Sequence, residues 1–262
     1  MSKIELPSKY SKWYHNFKKA PDRHKKFIGK PMISWSQIKS FKSKTGFNTG
    51  LLGKFEYFRS KFSKEKFEDM GWGFHGHAVE TYITLRSEDK RKLSKKDKEY
   101  LKWANEHFSD EERKTLDKIK PLGTYQYPIM IDFDEFVLVG DIDDFTPPKN
   151  KTVDLLRDYK TKSKSSKADL LKDEEMQLDI YGIALSREGY KVKNFEYCII
   201  ERTGGSECFK GGGKESLGIG DNVWYQPYDR VSNKRSQVVI KYIKDTVAEI
   251  SDYYKVYKKY FT

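Results

Sequence analysis

The spacing of apolar positions changes along the chain, from helical to strand-like and back. Between about Gly73 and Glu88 apolar residues recur three and four apart, with Val79 and Ile83 on one face, which predicts a helix. Ser34 and Ser36, ahead of Gln37-Ile38-Lys39-Ser40-Phe41, predict an earlier helix with a serine cap. Ser94-x-x-Asp97 and Ser109-x-x-Glu112 are capping-box patterns that open two more, the first carrying Tyr100, Leu101 and Trp103. Pro121 ends this helical stretch. Residues 124–131, 136–143 and 152–160 then read as strands, with turns at Asp132–Glu135 and Pro147–Asn150. Residues 168–188 return to helical spacing. Two further strands, 195–202 and 223–231, flank a Gly-rich loop at 204–220, and 237–257 is a long amphipathic helix. This order predicts a mixed α/β, or α+β, fold: a central mixed β-sheet flanked by helices.

The simplest partition is one continuous domain, with residues 1–66 as a basic helical region packed on a core formed by 67–262. The 39 aromatic residues argue against general disorder, because such chains lack the rings needed to offset ordering entropy. No apolar run approaches the ~18 residues of a membrane span. The first residues contain no apolar signal region, so a cytoplasmic protein is expected, in the host cytoplasm if a phage encodes it. Two cysteines, Cys198 and Cys208, are too few for a disulfide framework or a Cys-rich metal site.

Charge adds a functional direction. The formal net charge is +12, and residues 1–66 hold 17 basic against 4 acidic side chains. The remainder is close to neutral. A basic surplus gathered in one quarter of a chain suits a polyanion, whose bound phosphates release counterions. Trp13, Tyr14, Phe17, Trp35, Phe41 and Phe47 are interleaved with these lysines; most are expected to pack against the core, although rings among cations can also stack on bases.

Candidate chemistry lies on the second and third strands. Asp158 and Lys160, two apart, share a strand face, and a hairpin between the two strands brings Asp143 beside them. Two carboxylates can hold a hard cation next to the lysine, and the lysine can position water or stabilise charge on a phosphate. His77 and Glu80, three apart, share a helix face, whereas His75 and His77 point apart. Gln177 and Tyr181 share a face at i, i+4. Gly211-Gly212-Gly213-Lys214 is not a phosphate loop, because positions 208 and 215 are Cys and Glu; no nucleotide cofactor is expected.

In sequence order, Ser34-Trp35-Ser36, Gly73-x-x-x-His77, Gly140-x-x-Asp143, Asp158-Tyr159-Lys160-Thr161 and Gln177-x-x-x-Tyr181 resemble the five motifs of the RecB-like branch of the PD-(D/E)XK nuclease superfamily, over about residues 32–190. The resemblance implies a restriction-endonuclease-like core. It implies His77, Asp143, Asp158 and the Tyr159 carbonyl as metal ligands, Lys160 as the catalytic lysine, and Gln177 and Tyr181 as residues supporting the site and the phosphate backbone. Ser34 and Ser36 become phosphate-binding residues. Gly71-x-x-x-His75 fits the second motif as well as Gly73-x-x-x-His77, so His75 stands as an alternative to His77, with Glu80 favouring the latter. The implied activity is a magnesium-dependent DNA exonuclease, manganese substituting, that leaves 5′-phosphates in recombination or genome processing. Its partners are DNA and a single-strand-annealing or other recombination protein. A structure- or sequence-specific endonuclease on the same fold, and a non-catalytic nucleic-acid-binding protein, are the alternatives. Two cysteines exclude the four-cysteine iron–sulfur cluster of some relatives. The composition, rich in Lys, Tyr and Phe, suits an AT-rich genome such as a phage's.

Overall fold

The structure is a computed structural model that describes residues 3–7, 22–27, 29–42, 53–54, 57–58, 71–88, 93–163, 176–205, 213–229 and 231–260. Trp13, Tyr14, Phe17, Phe47, Cys208 and the 168–175 start of the expected fifth helix lie outside them. Strand β1 (Met32–Ser34) leads into α1 (Trp35–Lys42). Helices α2 (Trp72–Leu85), α3 (Lys95–His107) and α4 (Asp110–Asp117) follow. Strands β2 (Thr124–Asp132), β3 (Val137–Phe145) and β4 (Thr152–Lys162) come next, then α5 (Gln177–Arg187). The chain finishes with β5 (Lys191–Thr203), β6 (Gly218–Pro227) and α6 (Asn233–Tyr257).

The six strands form one mixed sheet in the order β1-β3-β4-β5-β6, with β2 on the remaining edge of β3. β1 runs parallel to β3 and β5 parallel to β4, while β2, β4 and β6 are antiparallel to β3, β3 and β5. Helices cover both faces, as alternation along β5 shows. Tyr197 and Ile199 join a core with α1, α5 and α6, whereas Cys198 and Ile200 join another with α2, α3 and α4. Because successive strand side chains point to opposite faces, a strand buried on both sides reads as a nearly continuous apolar run. The α+β class expected from the sequence is therefore the one found. Among the described residues no helix is long and apolar enough to cross a membrane.

Within residues 1–66, Trp35, Ile38, Phe41, Tyr57 and Phe58 are buried in the first of these cores with α6, while Phe27 and Met32 pack with Met130, Val137 and Val139. This region also supplies a strand. β1 is only three residues long, too short for a periodicity to register. Ser34 caps α1, its Oγ accepting from Gln37 N at 3.3 Å while Gln37 Oε1 accepts from Ser34 N at 2.7 Å.

Several boundaries differ from expectation: β5 starts at Lys191 rather than at 195, and the last strand stops at Pro227 rather than at 231. The last strand starts at Gly218, five residues before position 223, because its glycines belong to the sheet. A Cβ on Gly218 would lie 2.5 Å from Glu112 Oε1, and one on Gly220 would lie 2.6 Å from Glu201. α6 begins at Asn233 on the Ser232 cap, four residues before the apolar run that marked it in the sequence.

Candidate active site at the fork between two strands

β3 and β4 pair only at Asp144–Arg157 and Phe145–Leu156 and then separate. One edge of β3 is taken by β2. Its other edge is held by β1 at Val137–Val139 and by β4 at Asp144–Phe145. Residues 140–143 thus line the mouth of a fork. The pleat is also broken here. The β2–β3 register skips Gln126 and Asp143, Gln126 has φ 47, and Ile142 and Phe145 face the same core although three apart. Asp143 is turned towards β4, where Oδ2 accepts from the backbone N of Tyr159 at 2.9 Å. On the far side of the same strands Asp144 is wholly buried. It accepts from Leu122 N at 2.7 Å, Gly123 N at 3.2 Å and Tyr159 Oη at 2.9 Å. Tyr159 therefore ties the two arms twice, through its backbone and through its ring.

Asp158 and Lys160 occupy the β4 arm and meet α5. The Lys160 ammonium pairs with Asp158 Oδ2 and donates to Gln177 Oε1 at 2.9 Å. Gln177 Nε2 donates to Tyr181 Oη at 2.6 Å, and that hydroxyl donates to Asp158 Oδ1 over a longer 3.5 Å. Four side chains thus close a ring that fixes the lysine against the buried carboxylate. α5 can present Gln177 and Tyr181 so deeply because Gly182 brings it against β5; a Cβ there would lie 3.1 Å from the Phe195 ring.

The other wall is α2. It starts at Gly71, whose φ of 77 suits glycine, and crosses β4 where a Cβ on Gly76 would touch Thr161 Oγ1 at 3.6 Å. His77 Nδ1 lies 3.7 Å from Glu80 Oε2, and its ring stacks on Tyr100 at 5.5 Å. Glu80 and Asp141 enter the same electrostatic neighbourhood as Asp143. Burial, then the like charges of Asp158 and Glu80, hold the Asp143 carboxyl well above the usual range; Lys160 opposes them. Burial followed by Glu80 pushes Asp141 up to about 6, with His77 opposing. The Tyr181 hydroxyl is raised by burial, then by Asp143 and Asp158. Carboxylates that crowd and desolvate one another in this way are stabilised by a cation between them.

The fork brings together Asp143, Asp158, Tyr159, Lys160, Gln177 and Tyr181, with Glu80 and His77 on the facing helix. His75 is elsewhere: fully buried, it packs edge-on to Trp103 at 6.0 Å and Phe108 at 5.7 Å. Burial, then Arg202, lowers it to about 4. Ser34 ends β1 opposite Val139, which stands two residues before Asp141 on β3, and Ser36 lies in the first turn of α1. Their hydroxyls are 2.9 Å apart within the α1 cap. Asp141 received no role from the sequence, although its position two before Asp143 on a strand was a usable signal. Among the described residues no three His, Cys, Asp or Glu side chains already stand as a cation cage, since Lys160 occupies Asp158 and the Tyr159 N–H occupies Asp143. A cavity of about 680 Å³ lies away from the fork, between the far half of α5 and the start of α6, lined by Ile183, Arg187, Tyr228 and Ser232 among others.

Comparison with known proteins adds little to this geometry. No family model matches the chain, and no curated protein matches it. A solved structure from Eubacterium rectale, named "Putative exonuclease", aligns over 95% of this chain and 87% of its own at 12% identity and a TM-score of 0.45. A likeness of that size carries no argument about activity, and the functional reading rests on the chain's own residues.

Proposed function

We propose that this chain is a divalent-metal-dependent deoxyribonuclease of the RecB-like PD-(D/E)XK kind, acting as an exonuclease on DNA ends in recombination or genome processing. The observation that carries the reading is the ring Lys160–Gln177–Tyr181–Asp158 set opposite Asp143 in the mouth of a strand fork. A surface ion pair of Asp and Lys would need neither the buried carboxylate nor the two helix residues that hold it. The donor set suits magnesium, with manganese substituting: Asp143 and Asp158 first, the Tyr159 carbonyl beside them, and His77 with Glu80 and Asp141 at the margin.

When bound, the ion would supply Lewis-acid stabilisation of charge on the phosphate and a more acidic water. The chain's own groups do the positioning. Lys160, its Nζ oriented by Gln177 Oε1, places a positive charge where water attacks phosphorus and where the pentavalent oxygens gain charge. Tyr181 and Gln177 keep Asp158 and Lys160 in register, so little reorganisation is needed at the moment of reaction. As water adds to phosphorus the P–O3′ bond breaks, the 3′-oxygen takes a proton, and the products are a 5′-phosphate and a 3′-hydroxyl.

The test is digestion of end-labelled linear DNA beside a covalently closed circle of the same sequence, with magnesium and with manganese. Loss of the linear form alone is expected, with activity reduced at least ~10²-fold in Lys160→Ala while DNA binding is retained. Cutting of both forms would make it an endonuclease. Binding without cutting of either, in both metals, would leave a nucleic-acid-binding protein.

A further inference from the structure

A cluster of carboxylates repels a polyanion, so a phosphodiester reaches Glu80, Asp141, Asp143 and Asp158 only where flanking cations attract the strand. One turn before His77, α2 carries Phe74, packed edge-on to Tyr100 at 4.9 Å and to Trp103 at 5.4 Å. The Lys214 ammonium lies 3.8 Å over the Phe74 ring, and the Lys96 ammonium 5.4 Å over the Tyr100 ring. Some lysines of this protein are neutralised by a carboxylate, such as Lys30 by Asp132, Lys193 by Asp154 and Lys258 by Glu5. Among the described residues Lys96 and Lys214 have no such partner; rings hold them, and rings leave their charge intact. The place of Lys214 is also built in. Gly71 adopts φ 77 at the start of α2, and a Cβ there would lie 2.5 Å from the Cβ of Lys214. On the same Tyr100 ring His77 stacks, with 54% of its side chain exposed.

We propose that the ledge around the exposed His77, above the half-buried Phe74 and the buried Tyr100, is where the DNA strand enters the site, its phosphates received by Lys214 and Lys96. The assignment deepens the nuclease reading and rests on it. Charge complementarity selects the occupant: two ammonium groups without carboxylate partners, over one cluster of packed rings, beside an acidic site that otherwise excludes phosphate.

The experiment measures binding of a fluorescent single-stranded oligothymidylate across a salt series, in a Lys160→Ala background that does not cut. Lys96→Gln with Lys214→Gln is expected to weaken binding and to lower the slope of log K against log[salt] by about 1.4, at ~0.7 for each phosphate that is no longer neutralised. Lys149→Gln with Lys191→Gln, exposed at the opposite end of β4, serves as the control and leaves the slope unchanged. A Lys96/Lys214 variant with the parental slope overturns the proposal. Cleavage by the otherwise wild-type chain is scored separately. A chain that cuts DNA but shows no slope change loses only the ledge, whereas one that shows the slope change and never cuts loses the nuclease reading.

Discussion

His75 and His77 fit the same spacing motif, yet a helix turns about 200° between them. His75 faces Trp103 and Phe108 in the core and His77 faces Glu80 beside the acids. The sequence could not separate them, because which face of α2 meets α3 is decided by the packing of three helices. The difference is measurable. His75 is held near 4 by burial, against about 6.5 in the unfolded chain, so its contribution is present above pH 6.5 and is lost as pH falls towards 4. The total amounts to roughly 3 kcal/mol. Asp141, raised to about 6, titrates in the opposite sense in an overlapping range, which makes the difference between variants the informative quantity. His75→Phe is expected to flatten the acid limb of unfolding free energy between pH 6.5 and 4, as urea titrations at each pH would show. An unchanged slope would place the histidine in contact with solvent.

The β3–β4 hairpin was legible as two strands and a turn, and Asp143 was legible as a neighbour of β4. What was not legible is that the two strands hold only two residue pairs and then open. The opening depends on the skipped register at Gln126 and on Asp144, neither of which leaves a periodic trace. Asp144 joins the loop at Leu122 and Gly123 to Tyr159, and through Tyr159 to Asp143. Asp144→Ala leaves those donors without their acceptor and is expected to cost roughly 1–3 kcal/mol in denaturant unfolding. It should also lower the cleavage rate, because the fork arms lose one of their two ties. Full activity in a destabilised variant would show that the backbone bond from Tyr159 to Asp143 sets the fork unaided.

For the molecule as a whole, the crowded carboxylates of the fork cost stability, and the proposed cation would offset that cost. The ionised Asp143 is opposed by burial and by two like charges, so at pH 8 without divalent metal Asp143→Asn is expected to melt above wild type. Magnesium at a hundredfold excess over its Kd should stabilise wild type by about 2.7 kcal/mol. For a chain of this size that is roughly 5–10 °C, and the variant should lose most of it. A melting order that fails to reverse on adding magnesium would remove Asp143 from the ligand set. The sequence by itself determined the alternation of helices and strands, the two serine capping boxes, and the order in which Asp143, Asp158, Lys160, Gln177 and Tyr181 arrive, because these are written in local spacing and side-chain chemistry. Tertiary structure alone decided that α2 and α5 close on the fork from its two sides, which histidine faces it, and that Asp141 and Glu80 join its charge. Those outcomes depend on long-range packing across the sheet, where residues far apart in the chain share one desolvated space.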